Sequence, residues 1–465
     1  MLTMYLWLIA LLGLVLRLMF SNQSFWLDEG ASLMFGKLPL SQLMESIKTD
    51  FHPPIFYSLL HFWLPFAGKS EWLIRLPFIL LATATIPALY FLCREIFGSK
   101  SKVPLLSAIF LSLNPLHIYY SQELRMYSLT TLIVVSSWYF LVRKKYLIVS
   151  LFNLLGFFTF YGVVFNIVSQ LIYLLFQKPK NILWTTFYLI FPTVILFLFW
   201  WPTFSTQLSN GRYLTSALPG WQILSGSLTL KSLLLIPLKF VLGRISLEPL
   251  KLYFLAGGTI TTIFLIVTVR SFLYKKALPL TVSLLVPLLL GALLSLKTPV
   301  LGYWRFLFVL PFFLALLAVG VESLPKIIYL GTVAWICGVF FFANLYFWNN
   351  PRFHREDWRG LTAFLSGKNS LVLLAFPYKF APINYYVGSA EYLPMQTGSY
   401  NQKPYLETEL SEKISNHATI YYLDYLADLT DPKRVGLQSL SKFGLKQVGV
   451  YNFNNLGQVF EFRRL

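Results

Sequence analysis

The chain of 465 residues is 56% hydrophobic, 18% aromatic and only 12% charged, which excludes an ordinary soluble domain and identifies a polytopic membrane protein. Its formal net charge of +19 does not call for nucleic-acid binding, because much of it lies in short Lys/Arg loops of the kind that face an anionic inner leaflet. Cys93 and Cys337 sit at or inside apolar runs, so no external disulfide framework is implied.

Apolar runs close to the roughly 20 residues needed to cross a bilayer fall at 3–20, 72–93, 103–120, 125–142, 182–201, 250–270, 277–296, 303–321 and 326–347. No small-residue cleavage site follows the first, which is expected to stay as an anchor. Residues 146–176 are long for one helix and short for two, with a candidate break at Phe160–Gly162. Loop charge decides the count. With a cytoplasmic N-terminus and two short helices over 146–176, Arg94/Lys100/Lys102, Arg143/Lys144/Lys145, Lys178/Lys180, Arg270/Lys275/Lys276 and Lys326 all fall on the cytoplasmic side. A single crossing there would send Lys178, Lys180 and every later loop to the wrong face. About eleven spans are therefore expected over residues 1–348.

Four stretches then face outward: 21–71, a short piece around 117–127, 202–249 with an amphipathic part from Ile223 to Leu242, and everything from about Asn349. The tail, 349–465, reads as a small α/β domain. DWRGLTAFLSG and DPKRVGLQSLSKFG suggest helices, and SLVLLAF, ATIYYLD, QVGVY and QVFEF suggest strands.

The polar residues of interest lie in these outward stretches. SFWLDEGASLMFGK places Asp28 and Glu29 just beyond the first span, FHPPIFYSLLHFW carries His52, SEWLIRLPF carries Arg75, and NPLHIYYSQELRMYS carries His117, Glu123, Arg125 and Tyr127. Duller readings stand beside the functional ones. Asp28 suits the N-cap of a helix beginning at Glu29, Pro53 and Pro54 suit a helix start, and Arg75 could only snorkel. Glu123 and Arg125, two apart, would not face each other on a helix and need other partners. Charges kept at a membrane interface are functional candidates because they are costly there.

The order DE, HPP, WLIRLPF, YYSQELRMYSL, YWRFLFVLP and REDWRG resembles the bacterial branch of the protein O-mannosyltransferase and aminoarabinose transferase (ArnT-like) superfamily, glycosyltransferase family 39 of the GT-C fold. The resemblance runs over most of the chain and is strongest in residues 24–130. It implies a polytopic α-helical enzyme of the bacterial cytoplasmic membrane with an extracytoplasmic C-terminal domain. Such an enzyme moves a sugar from a polyprenyl phosphate to a glycan, lipid or protein acceptor on the outer face. By this analogy Asp28 is the general base of a single inverting displacement and Glu29 positions the acceptor or supports Asp28. Arg75, Arg125 and Arg305 would hold the lipid phosphate, since Arg can grip phosphate oxygens with two parallel hydrogen bonds. His52, Glu123 and Tyr127 would line the pocket.

Some relatives place a divalent metal there. A carboxylate with one or two His could bind one, but the spacing here forms no recognisable ligand motif, and metal is left open. Two departures are plain: Phe160 and Tyr161 stand where related sequences often carry a His, and the β-trefoil domain of the eukaryotic protein mannosyltransferases is missing. Two other classes stay in view, a transporter or flippase of lipid-linked saccharides and a non-catalytic lipid-binding scaffold. Against the first, the spans are nearly free of Asp and Glu and show no repeat relating two halves.

Overall fold

The computed structural model describes residues 2–217, 226–368, 370–374, 382–386, 391–394, 412–430 and 434–464. Positions 223–225 of the expected amphipathic stretch, 375–376 of the first expected tail strand and 431–433 of the expected tail helix lie outside them.

The bundle begins with α1 (Leu2–Leu18), then α2 (Leu27–Gly36), α3 (Leu40–Ser46) and α4 (Ile55–Ala67), which make up most of the first expected outward stretch. The long apolar α5 (Glu71–Phe97) follows. Next come α6 (Val103–Leu113) and α7 (Pro115–Ser121), bent by 59° at Asn114, whose side chain caps α7 by accepting from the His117 N–H. The expected run 125–142 is α8 (Tyr127–Val142), and 146–176 is split, as its length suggested, into α9 (Tyr146–Phe157) and α10 (Val163–Gln177). A buried polar chain ties these short helices together: Asn153 donates to Gln170 at 2.8 Å, Gln170 to Ser137 at 2.8 Å, and Trp138 to Asn166 at 2.7 Å. Each group satisfies another that would be costly alone in an apolar interior.

One boundary differs from the expectation. The run at 182–201 does not end there but continues as α11 (Ile182–Ala217), 36 residues and about 54 Å at 1.5 Å per residue, so the start of the third outward stretch is helix rather than loop. After it come α12 (Leu230–Leu242), α13 (Leu250–Val269), α14 (Leu278–Leu294), a 3₁₀ turn (Tyr303–Val309) leading into α15 (Leu310–Glu322), and α16 (Lys326–Trp348). Every residue from Leu310 to Val321 is buried, which makes α15 the axis of the bundle. Gly320 lets it touch α13: a Cβ there would lie 1.9 Å from the Val267 carbonyl oxygen. Large apolar side chains on the periphery, among them Leu183, Phe199 and Ile327, are exposed, as a lipid-facing surface requires. Among the described residues six helices are long and apolar enough to cross a membrane, or seven with the bent α6–α7 pair.

The tail folds as α17 (Trp358–Leu365), β1 (Ser370–Leu374), α18 (Ile383–Tyr386), β2 (Glu391–Pro394), β3 (Thr419–Leu423), α19 (Ala427–Thr430), α20 (Val435–Ser439), β4 (Leu445–Phe453) and β5 (Gly457–Arg464). The strand order is β2-β1-β3-β5-β4, parallel for β2-β1-β3 and antiparallel for the rest. One sheet face packs on Trp358, Leu361 and Leu365, and this cluster includes Leu27 from the bundle.

Candidate functional site

The site is assembled where α2, the loop after α3, the turn between α7 and α8 and the 3₁₀ turn before α15 meet. Trp26 is extended and Leu27 opens α2, so Asp28 and Glu29 both occupy its first turn. Acidic groups there suit the positive end of a helix dipole. The N-cap reading of Asp28 is thereby corrected, since the helix begins one residue before it. Glu29 instead reaches back to accept from the Trp26 N–H at 3.3 Å.

The two neighbours then part. Glu29 points inward and is fully buried, with Arg75 Nε 2.8 Å from Oε1 and Arg75 Nη2 2.6 Å from Oε2. It also accepts from the Leu124 N–H at 2.8 Å and lies 3.7 Å from Arg355. Burial opposes its charge, but Arg355 and Arg75 outweigh that and hold its carboxyl below the ordinary range. Asp28 points the other way, its side chain 38% exposed, with the Nε of Arg125 3.9 Å from Oδ2.

Arg125, itself buried, donates from Nη2 to His52 Nε2 at 2.8 Å, so that nitrogen is the acceptor and the His52 ring is neutral. Burial first, then Arg125 and Arg305, push the imidazole well below its usual pKa. The Nε of Arg125 has no hydrogen-bond partner among the described residues. Asp50 faces the same group; Tyr57 donates to it at 2.5 Å, and burial raises its carboxyl although Arg125 pulls the other way. Tyr127 stands in the electrostatic neighbourhood of Arg125, and Arg305 in that of His52 and Asp28, while Arg305 Nη1 donates to the Pro299 carbonyl at 2.8 Å.

Not all expected site residues converge. Arg75 is wholly buried, and its guanidinium is used up on Glu29 and on the carbonyls of Ser21, Gln23 and Ser24. No donor is left for a phosphate, so that expectation is replaced by a structural role. Glu29 is likewise wholly excluded from solvent. Glu123 is buried against Arg355 at 3.4 Å, and burial pushes its carboxyl up to about 7. The His52 and Glu123 that a metal would take each face a guanidinium, and no cluster of three or more His, Cys, Asp or Glu suited to a metal occurs among the described residues.

The loop carrying His52 is fixed from a distance. Gln207 on α11 donates to the carbonyls of Ile47 at 2.8 Å and His52 at 3.1 Å, and accepts from Tyr161 at 2.6 Å. Tyr161, in the candidate break at 160–162, thus reaches the His52 loop through Gln207. The sequence reading missed Asp50, Arg244, Arg355 and Glu356. Arg244 donates to Tyr303 at 2.8 Å, its guanidinium lying over the Tyr119 ring. Asp50, two before His52, and the pair opening REDWRG were the signals available.

Residues 51–204 match a family profile described as dolichyl-phosphate-mannose-protein mannosyltransferase. Among solved structures, ArnT from Cupriavidus metallidurans in the apo state superimposes with a TM-score of 0.59 at 11% identity, covering 99% of this chain and 98% of that one. The same protein bound to undecaprenyl phosphate gives 0.56 at 12% identity, with coverage of 99% and 98%. The oligosaccharyltransferase AglB from Archaeoglobus fulgidus, in complex with an inhibitory peptide and a dolichol-phosphate, gives 0.52 at 10%, covering 98% of this chain and 74% of that one. A search of curated protein sequences gives no match. At these identities the structural likeness is one of fold.

Proposed function

We propose that this chain, which has the GT-C fold of ArnT-like glycosyltransferases, transfers a sugar from a polyprenyl-phosphate carrier to an acceptor on the outer face of a bacterial cytoplasmic membrane. We read α1, α8, α9 and α10 as crossings beside the six long helices and the bent pair, which gives eleven. The basic loops then face the cytoplasm and residues 349–465 lie outside.

In this reading Asp28 takes the proton of the acceptor hydroxyl as its oxygen attacks the anomeric carbon. The bond from that carbon to the phosphate oxygen breaks, its electron pair leaves with the phosphate, and the configuration inverts. The departing polyprenyl phosphate needs positive charge held ready for it, which Arg125 and Arg305 supply. His52 and Tyr127 line the same space. Glu29 and Arg75 form the support behind it.

The single observation carrying this reading is the pairing of a partly exposed carboxylate, Asp28, with a buried guanidinium whose Nε is unsatisfied and 3.9 Å away. An ArnT structure bound to undecaprenyl phosphate supports the choice of lipid carrier. Donor sugar and acceptor are best read by mass spectrometry of lipid-linked sugars and envelope glycans in cells with and without the gene. A lipid-linked sugar that accumulates while one glycan disappears supports the proposal, and two unchanged pools would contradict it.

A further inference from the structure

The segment that leaves α16 turns back into the bundle instead of leading away from it. The Arg355 side chain is 2% exposed, with Nη1 3.4 Å from Glu123 and 3.7 Å from Glu29. Its Nη2 donates to the Gln122 carbonyl at 3.1 Å. The turn it grips is the one that carries Arg125, whose own N–H donates to the Glu123 carbonyl at 2.8 Å.

The next residue grips the other half of the site. Glu356 accepts from the Leu27 N–H at 3.2 Å, the last residue before Asp28, and is itself held by Trp358 Nε1 and the Tyr425 hydroxyl, each at 2.7 Å. Arg359 adds bonds to Ser24 Oγ and the Asn22 carbonyl, and Tyr386 accepts from the Phe25 N–H at 2.8 Å. Trp26 and Leu27 pack into the same apolar cluster as Trp358, Leu361 and Tyr421. Residues 22–27 are thus bonded and packed into the C-terminal domain as well as leading into α2.

We propose that Arg355 and Glu356 are positioning residues through which the C-terminal domain sets the Asp28–Arg125 geometry, so that the docked domain completes the active site. The inference rests on the reading of Asp28 and Arg125 given above. Its chemical logic is separate: two carboxylates of the bundle, Glu29 and Glu123, are buried with one guanidinium of the bundle, Arg75, and one delivered by the tail, Arg355. An uncompensated buried charge is costly, so removing Arg355 should loosen the turn at 122–126.

Hydrogen–deuterium exchange of the full-length protein in detergent tests this without substrate. Glu356→Ala is expected to speed exchange in peptides covering 22–30, and Arg355→Ala in those covering 122–126, each by roughly tenfold or more. Peptides from β3, β5 and α5 should stay at wild-type rates. Arg355→Lys, which keeps the charge, should restore most of the protection. Unchanged exchange at 22–30 and 122–126 in both variants would overturn the proposal. So would equal loss across the whole C-terminal domain, which would mark these residues as general props of its fold. Because no sugar transfer is read, failure here is distinguishable from failure of the glycosyl-transfer reading, which Asp28→Asn tests.

Discussion

Arg75 meets Glu29 side-on through two hydrogen bonds, 2.8 Å from Nε and 2.6 Å from Nη2, with both side chains fully excluded from solvent. This bidentate, charge-assisted pair joins α5 to α2 behind the open face of the site. It separates two adjacent carboxylates: Glu29 is held inside the scaffold at 0% exposure, whereas the Asp28 side chain stays 38% exposed.

Removing one partner of a buried pair leaves the other uncompensated, at a cost of about 3–5 kcal/mol. Arg75→Ala should therefore lower the thermal unfolding midpoint in detergent strongly, and Arg75→Lys should lower it less. Surviving folded protein should bind undecaprenyl phosphate with near wild-type affinity. A stable Arg75→Ala protein with specifically weakened lipid binding would restore Arg75 to the phosphate site.

Arg125 should behave in the opposite way. Charge-assisted hydrogen bonds contribute about 1.5–3 kcal/mol, so Arg125→Ala should weaken undecaprenyl-phosphate binding about tenfold to a hundredfold, with Arg125→Lys between. Fluorescence-detected binding of the lipid in detergent would measure it. Affinity equal to wild type would remove Arg125 from the leaving-group side.

Glu356 sets a pH dependence. Unfolded, its carboxyl loses a proton near 4.5; folded, burial pushes it up to about 7 despite its three donors. Between those values the folded chain keeps a proton that the unfolded chain has released. The stabilisation is complete below pH 4.5 and is lost as pH rises through 7, by at most about 3 kcal/mol. Melting temperature should fall between pH 5 and 8, and Glu356→Gln should flatten the part of that slope due to this group. Glu123, also pushed up to about 7 by burial, leaves a residual slope of the same sign. A variant melting profile that falls as steeply as wild type would contradict the assignment.

Orientation can be checked chemically. In a background with Cys337 replaced, a membrane-impermeant thiol reagent applied to intact cells should label a Cys at exposed Ser366 and spare one at exposed Lys144. The reverse pattern would invert the topology.

How much of this was legible from sequence depended on the range of the interaction. Periodicity and loop charge are local, and they carried the apolar helices, the split between Phe157 and Val163 and four of the five strands. The missed strand, β2, is only Glu391–Pro394, too short for alternation to show. The end of α11 escaped because polarity rises after Trp201 while the helix continues. At the site, residue types were visible but partners were not: Arg75 finds Glu29 across 46 positions and Arg355 finds Glu123 across 232. No spacing rule reports such pairings. For that reason Arg75 looked like a phosphate ligand, and the opening of REDWRG carried no role.

The most direct test of the central claim is turnover by Asp28→Asn measured beside lipid binding in the same preparation. A positioned general base contributes about a hundredfold to ten-thousandfold. Transfer from the lipid-linked sugar identified in cells should fall by that much, while undecaprenyl-phosphate binding and the melting temperature stay close to wild type. Transfer at the wild-type rate in a folded Asp28→Asn protein would show that this carboxylate takes no proton in the reaction, and the mechanism proposed for this site would have to be abandoned.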